Sequence, residues 1–360
     1  MSDKSAGQEF RRADQQFKDN KKRLLELQIP EVNKHLSIEF LESCQTGMFM
    51  AKIGKDRAII TLRALVHLNK ILPDGRIWHD VTKADIKSIL LKVEEGDIWG
   101  EWGKYVNLSV LRKFMTWLRS EYSYPAGYPD RERLIGLLPL MDHAPECKYH
   151  MPRPNKLKNI NEIPTKDEIN YLLAATDSYT NKTKGIRDRA FLSVLAEVGM
   201  RISGLGTLRI KDVSLDQIGA LLSIHDKTMT GEPVRIIKAA PYLITWMNIH
   251  PKRNDPEAPL WVNIQASRGY ESMNYAGMQK ALKTAVITHN AYAESKGLPK
   301  ITRRIHFHAF RYYAQTRDTL GGMPVGIMCK QRGWSPTSKQ PQRYARISSA
   351  QVDEWLVAHQ

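Results

Sequence analysis

Apolar residues recur at helical spacing along most of this chain. Around Ile59, Ile60, Leu62, Leu65, Val66 and Leu68 they form one face of a helix, with Arg57, Arg63 and His67 between them. Val110, Leu111, Phe114, Met115, Trp117 and Leu118 repeat the pattern, with Arg112, Lys113 and Arg119 interleaved. Those basic positions suit a charged solvent face or a face offered to phosphates. Thr82-Lys83-Ala84-Asp85 reads as a helix start, because Asp85 would stand near the positive end of the helix dipole. Residues 36–147 are therefore expected to form a helical domain. Ahead of it, residues 1–35 are polar and basic, with Arg11-Arg12 and Lys21-Lys22-Arg23, and Phe17 to Leu27 has the pattern of a helix. A solvated tail and a nucleic-acid-contacting arm both fit this segment.

The pattern changes near residue 147. Pro145, Pro152 and Pro154 break regular structure and Lys148, Arg153, Lys156 and Lys158 add charge, so residues 148–162 read as a basic linker. A second domain is expected over 163–360. Thr165-Lys166-Asp167-Glu168 is a capping box leading into a helix over 170–175, and a longer helix is expected from Gly185 to Val198. Leu221 to Ile224 and Val234 to Ile237 read as short strands around the turn-rich Lys227-Thr228-Met229-Thr230-Gly231-Glu232-Pro233. From Tyr242 the chain is mostly helical, with loops near 251–259 and 267–274. Its last helix, Ser348 to His359, carries Val352, Trp355 and Leu356 on one face. The expected fold is mainly α with a small antiparallel β-sheet in the second domain.

A length of 360 residues agrees with two domains. No run of about 18 apolar residues occurs, so no membrane partner is expected. The polar opening Met1-Ser2-Asp3-Lys4-Ser5 is unlike a signal peptide. Cys44, Cys147 and Cys329 stand too far apart for a disulfide framework or a zinc pattern, which points to a reducing cytoplasm. Charge is the strongest bulk signal. Lys plus Arg number 54 against 38 Asp plus Glu, a net charge of +16. Such a surplus favours a polyanionic partner through counterion release, without separating DNA from RNA.

Four islands in the second domain carry chemistry. The first is Gly199-Met200-Arg201-Ile202-Ser203-Gly204-Leu205, and the second is Lys227 in the expected hairpin. The third is His308-Ala309-Phe310-Arg311, and the fourth is Gly333-Trp334-Ser335 followed by Tyr344. In this order, Arg, Lys, His-x-x-Arg, Trp and Tyr, the chain resembles the tyrosine recombinases of the integrase type. The match covers about 160–350, while the helical first domain resembles the family's core-binding domain in composition and position.

Transfer of a phosphodiester explains why such residue types are needed. Attack builds negative charge on the non-bridging oxygens, which two guanidiniums, Arg201 and Arg311, can clamp without a metal. A tyrosine hydroxyl is a weak nucleophile at neutral pH and needs nearby cations and a base. His308 is the candidate base for Tyr344. The resemblance implies Lys227 as the general acid for the departing 5′ oxygen, with Lys238 and Arg235 as nearby rivals. Trp334 can donate its indole N–H to a phosphate oxygen and pack the site. Tyr312 and Tyr313 compete with Tyr344 for the role of nucleophile but follow Arg311 directly and read as packing residues. The resemblance further implies a C-shaped clamp on double-stranded DNA and no cofactor. It also implies a tetramer on paired recombination sites, with the C-terminal helix around Trp355 packing on its own domain or on a neighbour.

Two departures from the family pattern stand out. Gly204 occupies a position that is often acidic, and Glu197 is a possible substitute. The step from Trp334 to Tyr344 is one residue longer than usual, with Pro336 and Pro341 inside it. Three rival functions remain. His306-Phe307-His308 fits the His-hydrophobe-His motif of metal-dependent nickases. A non-catalytic DNA-binding protein of the same fold and a type IB topoisomerase are the others.

Overall fold

The structure is a computed structural model, and it describes residues 12–95, 100–118, 163–224, 233–345, 347 and 349–359. The chain divides into two compact units, one on each side of the stretch 119–162. The expected linker at 148–162 and the hairpin segment with Lys227 lie outside the described residues.

The first unit contains α1 (Ala13–Leu25), α2 (Glu31–Thr46), α3 (Lys55–Ile71), α4 (Lys83–Glu95) and α5 (Glu101–Leu118). Within the polar opening of the chain, α1 buries Leu24 together with Leu41, Ala58, Leu62 and Val66. A larger core gathers Phe40, Trp78, Phe114 and Trp117, with Phe114 edge-on to Phe40 at 5.3 Å and to Trp78 at 5.1 Å. Aromatic pairs prefer this edge-to-face geometry. The Trp78 indole N–H donates to Asn69 Oδ1 at 2.9 Å, which satisfies a buried polar pair. Thr82 and Asp85 cap α4 reciprocally, over 2.8 and 3.2 Å, as the local sequence suggested.

The second unit runs through α6 (Lys166–Ala175), α7 (Lys182–Val198), α8 (Ile202–Gly206), β1 (Val213–Leu215), β2 (Ala220–Leu222), β3 (Val234–Ile236), α9 (Ala240–Asn248), α10 (Tyr275–Lys296), α11 (Phe307–Leu320), α12 (Val325–Gln331), α13 (Gln340–Tyr344) and α14 (Ser349–His359). The Thr165–Glu168 capping box is present at the start of α6. Helix α7 is the axis of this unit. Its residues Ala190, Phe191, Leu192, Val194 and Leu195 are all buried, so this stretch is enclosed on every side, as the middle of a central helix must be. It also buries Arg187 and Asp188, joined at 2.8 and 2.5 Å, with the Arg187 Nη1 group donating to the Val262 carbonyl at 2.8 Å.

The sheet is antiparallel in the order β1-β2-β3, with Leu215 opposite Ala220 and Ala220 opposite Ile236. The mainly helical fold with one small antiparallel sheet agrees with the reading of the sequence. Strand β1 was not expected, because three residues are too few to show alternation. The Asp216 carboxylate, which accepts from the amides of Ile218 and Gly219 at 2.9 and 3.0 Å, sets the turn that folds β1 back onto β2. Among the described residues no helix is long and apolar enough to cross a membrane.

Candidate active site

The site begins where α7 ends. Gly199 adopts φ +61°, a left-handed conformation that favours glycine. A Cβ there would lie 2.8 Å from the Ala314 Cβ and 3.0 Å from the Arg311 Cα, so the missing side chain lets α11 lie against the end of α7. The Gly199 carbonyl accepts a hydrogen bond from Arg311 Nη1 at 3.1 Å. Two residues further on, Arg201 is the half-buried N-cap residue of α8.

Helix α11 carries the second group. His306 caps it, with Nδ1 accepting from the Ala309 amide at 3.0 Å. This start turns Phe307 inward, leaves His308 exposed and buries Arg311. His308 and Tyr312, four residues apart on one face, meet with ring centroids at 5.1 Å.

The third group arrives after α12. Gly333, at φ +59°, turns the chain into Trp334, and the turn at Ser335–Ser338 leads to α13 and Tyr344. Pro341 sits in the first turn of α13, where a missing N–H is harmless, and Tyr344 is buried at the end of that helix. Tyr344 stacks on Trp334 at 5.8 Å with an interplanar angle of 12°. The Arg311 guanidinium carbon lies 4.8 Å from the Trp334 ring centre and 5.0 Å from that of Tyr344. These are cation–π distances. His308 approaches Tyr344 from the side at 5.4 Å and Tyr312 at 5.2 Å. Trp334 is 5% exposed, and its indole Nε1 has no acceptor among the described residues.

His308, Arg311, Trp334 and Tyr344 thus meet in one cluster of a single chain, and the Gly199 carbonyl ties this cluster to the segment of Arg201. Of the rivals to Lys227, Arg235 holds both Asp216 oxygens at 2.6 Å, and Lys238 is exposed. Glu197 does not stand in for an acidic residue at Gly204. Its carboxylate accepts from the amides of Ile237, Lys238 and Ala239 at 2.8, 3.1 and 2.6 Å. That contact ties α7 to the segment between β3 and α9. Tyr312 belongs to the ring cluster, and Tyr313 lies 5.8 Å from the Arg317 guanidinium carbon. Burial raises the Tyr313 phenol above its ordinary pKa.

Behind the cluster lie residues to which the sequence gave no role. Asp318 pairs with Arg317 at 2.6 Å and with the buried Arg332. Burial lowers the Arg332 pKa below that of an ordinary guanidinium, although its bond to Asp318 opposes the shift. Arg332 stands directly before Gly333, where a charged residue looks like a surface residue, and no local pattern announces its burial.

The model of the phage integrase family matches residues 163–351, and the chain belongs to that family. A tyrosine recombinase, XerD of Lacticaseibacillus casei, is 27% identical over 198 residues, covering 54% of this chain and 62% of that protein. The chain therefore matches about three-fifths of the length of this curated relative. The integrase of transposon Tn1549, in complex with a circular intermediate DNA, superposes with a TM-score of 0.59 at 12% identity, over 90% of this chain and 99% of that one. A lambda integrase tetramer bound to a Holliday junction gives 0.53 at 14% identity, over 83% and 77%. At such identities these two similarities concern the fold.

Proposed function

We propose that this chain is a site-specific DNA recombinase that cuts duplex DNA through Tyr344 and reseals it by way of a 3′-phosphotyrosyl intermediate. The observation that carries this reading is the placement of the Arg311 guanidinium against the rings of Trp334 and Tyr344, with the exposed His308 beside them. In the forward step the Tyr344 oxygen bonds to phosphorus and the bond from phosphorus to the 5′ oxygen breaks. His308 takes the phenolic proton, and Lys227 gives a proton to the departing oxygen. Arg201 and Arg311 hold the non-bridging oxygens as negative charge grows on them. The buried Trp334 N–H, which has no acceptor among the described residues, donates to one of these oxygens. The ion pair of Arg235 with Asp216 supports Lys227 as the acid, since it engages one of the two rivals for that role. A 5′ hydroxyl reverses the step, because the phosphotyrosine conserves the bond energy, so neither nucleotide nor metal is consumed.

The packing of Tyr344 within its own chain supports attack in cis. The partners in this reading are a double-stranded recombination site and further copies of the chain, assembled as a tetramer on paired sites. Helix α14 supports that assembly, since it leaves Val352, Trp355 and Leu356 about two-fifths exposed. Integration and excision of a viral or plasmid element, in the host cytoplasm at the nucleoid, is the biological role proposed. The test uses a duplex selected by the wild-type protein from a randomised pool, then nicked beside the cleavage point so that the freed fragment diffuses away. Wild type should accumulate a covalent protein–DNA adduct and Tyr344→Phe none. An adduct that survives Tyr344→Phe rejects the assignment.

A further inference from the structure

The buried Asp318 is the hub of a chain of contacts between two sides of the site, running through the half-buried Arg317 and the buried Arg332. Its Oδ1 accepts from Arg317 Nε at 2.8 Å and from Nη2 at 2.6 Å, and its Oδ2 accepts from Arg332 Nη2. Arg317 reaches on to the last turn of α7, donating to the carbonyls of Ala196 at 3.1 Å and Glu197 at 2.7 Å. Those carbonyls lie in the unpartnered last turn of α7, two to five residues before Gly199 and Arg201. On the other side, the Arg332 guanidinium carbon lies 5.8 Å from the Trp334 ring centre. Arg332 is 3% exposed and Asp318 7%, while the Arg332 Nε and Nη1 atoms have no acceptor among the described residues.

Packing alone does not call for these charges. An apolar pair of similar volume often replaces a buried ion pair with no loss of stability. Charges contribute direction, because a planar guanidinium bonded to a carboxylate has a fixed orientation. We propose that Asp318 and Arg332 are positioning residues for strand cleavage, holding the Trp334 indole at a set distance from the α7 terminus that leads to Arg201. The inference rests on the reading of Trp334 as a phosphate donor.

The test measures adduct formation at saturating DNA, using the selected nicked duplex, for Arg332→Leu and for Asp318→Leu combined with Arg332→Leu. Displacing one donor by about an ångström costs on the order of a hundredfold. The cleavage rate of both variants should therefore fall between about tenfold and a hundredfold. The DNA dissociation constant should stay close to wild type in both, and the melting temperature close to wild type in the double variant, which leaves neither charge of the pair buried alone. In a Trp334→Phe background the same substitutions should cause no further loss, since the residues act through one another. An unchanged rate, or an equal loss with and without Trp334, overturns the proposal. Arg332→Leu alone leaves Asp318 with Arg317 only, so if it fails to fold the double variant decides. A double variant that does not fold makes the pair structural and also overturns the proposal. Absence of a Tyr344 adduct with wild type is a different failure, because it removes the recombinase reading and this inference with it.

Discussion

The guanidinium of Arg311 donates to the carbonyl of Gly199, 3.1 Å away, and this one bond joins the helix that carries His308 to the turn that leads to Arg201. The contact depends on the absence of a side chain at residue 199, where a Cβ would meet Ala314 and the Arg311 backbone. Gly199→Ala should lower stability by roughly 2–5 kcal/mol, combining left-handed strain with overpacking. Denaturant unfolding measures it, and a midpoint equal to wild type contradicts this account of the turn.

Arg311 should tolerate neither Ala nor Lys. An ammonium cannot hold two phosphate oxygens as a guanidinium does, nor stack in the same way on Trp334 and Tyr344. Losing one such donor costs about 10²–10³ in rate. Adduct formation by Arg311→Lys at saturating DNA checks this, and a rate within a few-fold of wild type excludes Arg311 from phosphate binding.

The buried pair within α7 concerns stability alone. Arg187→Met leaves the Asp188 carboxylate, fully buried, with no guanidinium beside it. Removing one partner of a buried pair costs about 3–5 kcal/mol. Burial already raises the Asp188 pKa, against the opposing pull of Arg187, so without Arg187 the carboxyl should take up its proton more readily. Thermal unfolding of Arg187→Met and of Arg187→Met with Asp188→Leu separates the two effects. The double variant should recover most of the loss, and failure to recover it would show that Arg187 contributes mainly through Val262.

Local signals were legible in the sequence, and distant ones were not. The capping box at Thr165 and the cap at Thr82 depend on four consecutive residues, so the sequence contains the whole device. The order of Arg201, His308, Arg311, Trp334 and Tyr344 was legible through its resemblance to a family motif, and the last four of these residues lie together in the structure. Strand β1 was hidden, since three residues show no period and pairing with β2 decides their form. Arg332 and Asp318 were hidden for another reason. Their burial comes from the packing of α11, α12 and α7, and nothing within a few positions of either residue records it. Glu197 read as a possible substitute for a missing acid, but the amides of Ile237, Lys238 and Ala239 claim its carboxylate.

His250 should make stability depend on pH. Burial lowers its pKa below the ordinary value, outweighing its bond to the Pro259 carbonyl. Its Nδ1 accepts from the Lys252 amide, a role that a protonated ring cannot fill. The unfolded chain therefore binds a proton that the folded chain refuses, and stability falls as pH drops below about 6.5, the unperturbed histidine value. Between pH 8 and 5 the melting temperature of wild type should fall more than that of His250→Gln. Equal slopes for the two proteins would remove His250 from the account.

The proposed reaction bonds Tyr344 to DNA. The most direct measurement is mass spectrometry of the peptide–nucleotide adduct after protease and nuclease digestion of the trapped complex. One modified peptide is expected, with Tyr344 carrying the nucleotide through its 3′ phosphate. A nucleotide on Tyr312 or Tyr313, or one joined through its 5′ phosphate, contradicts it.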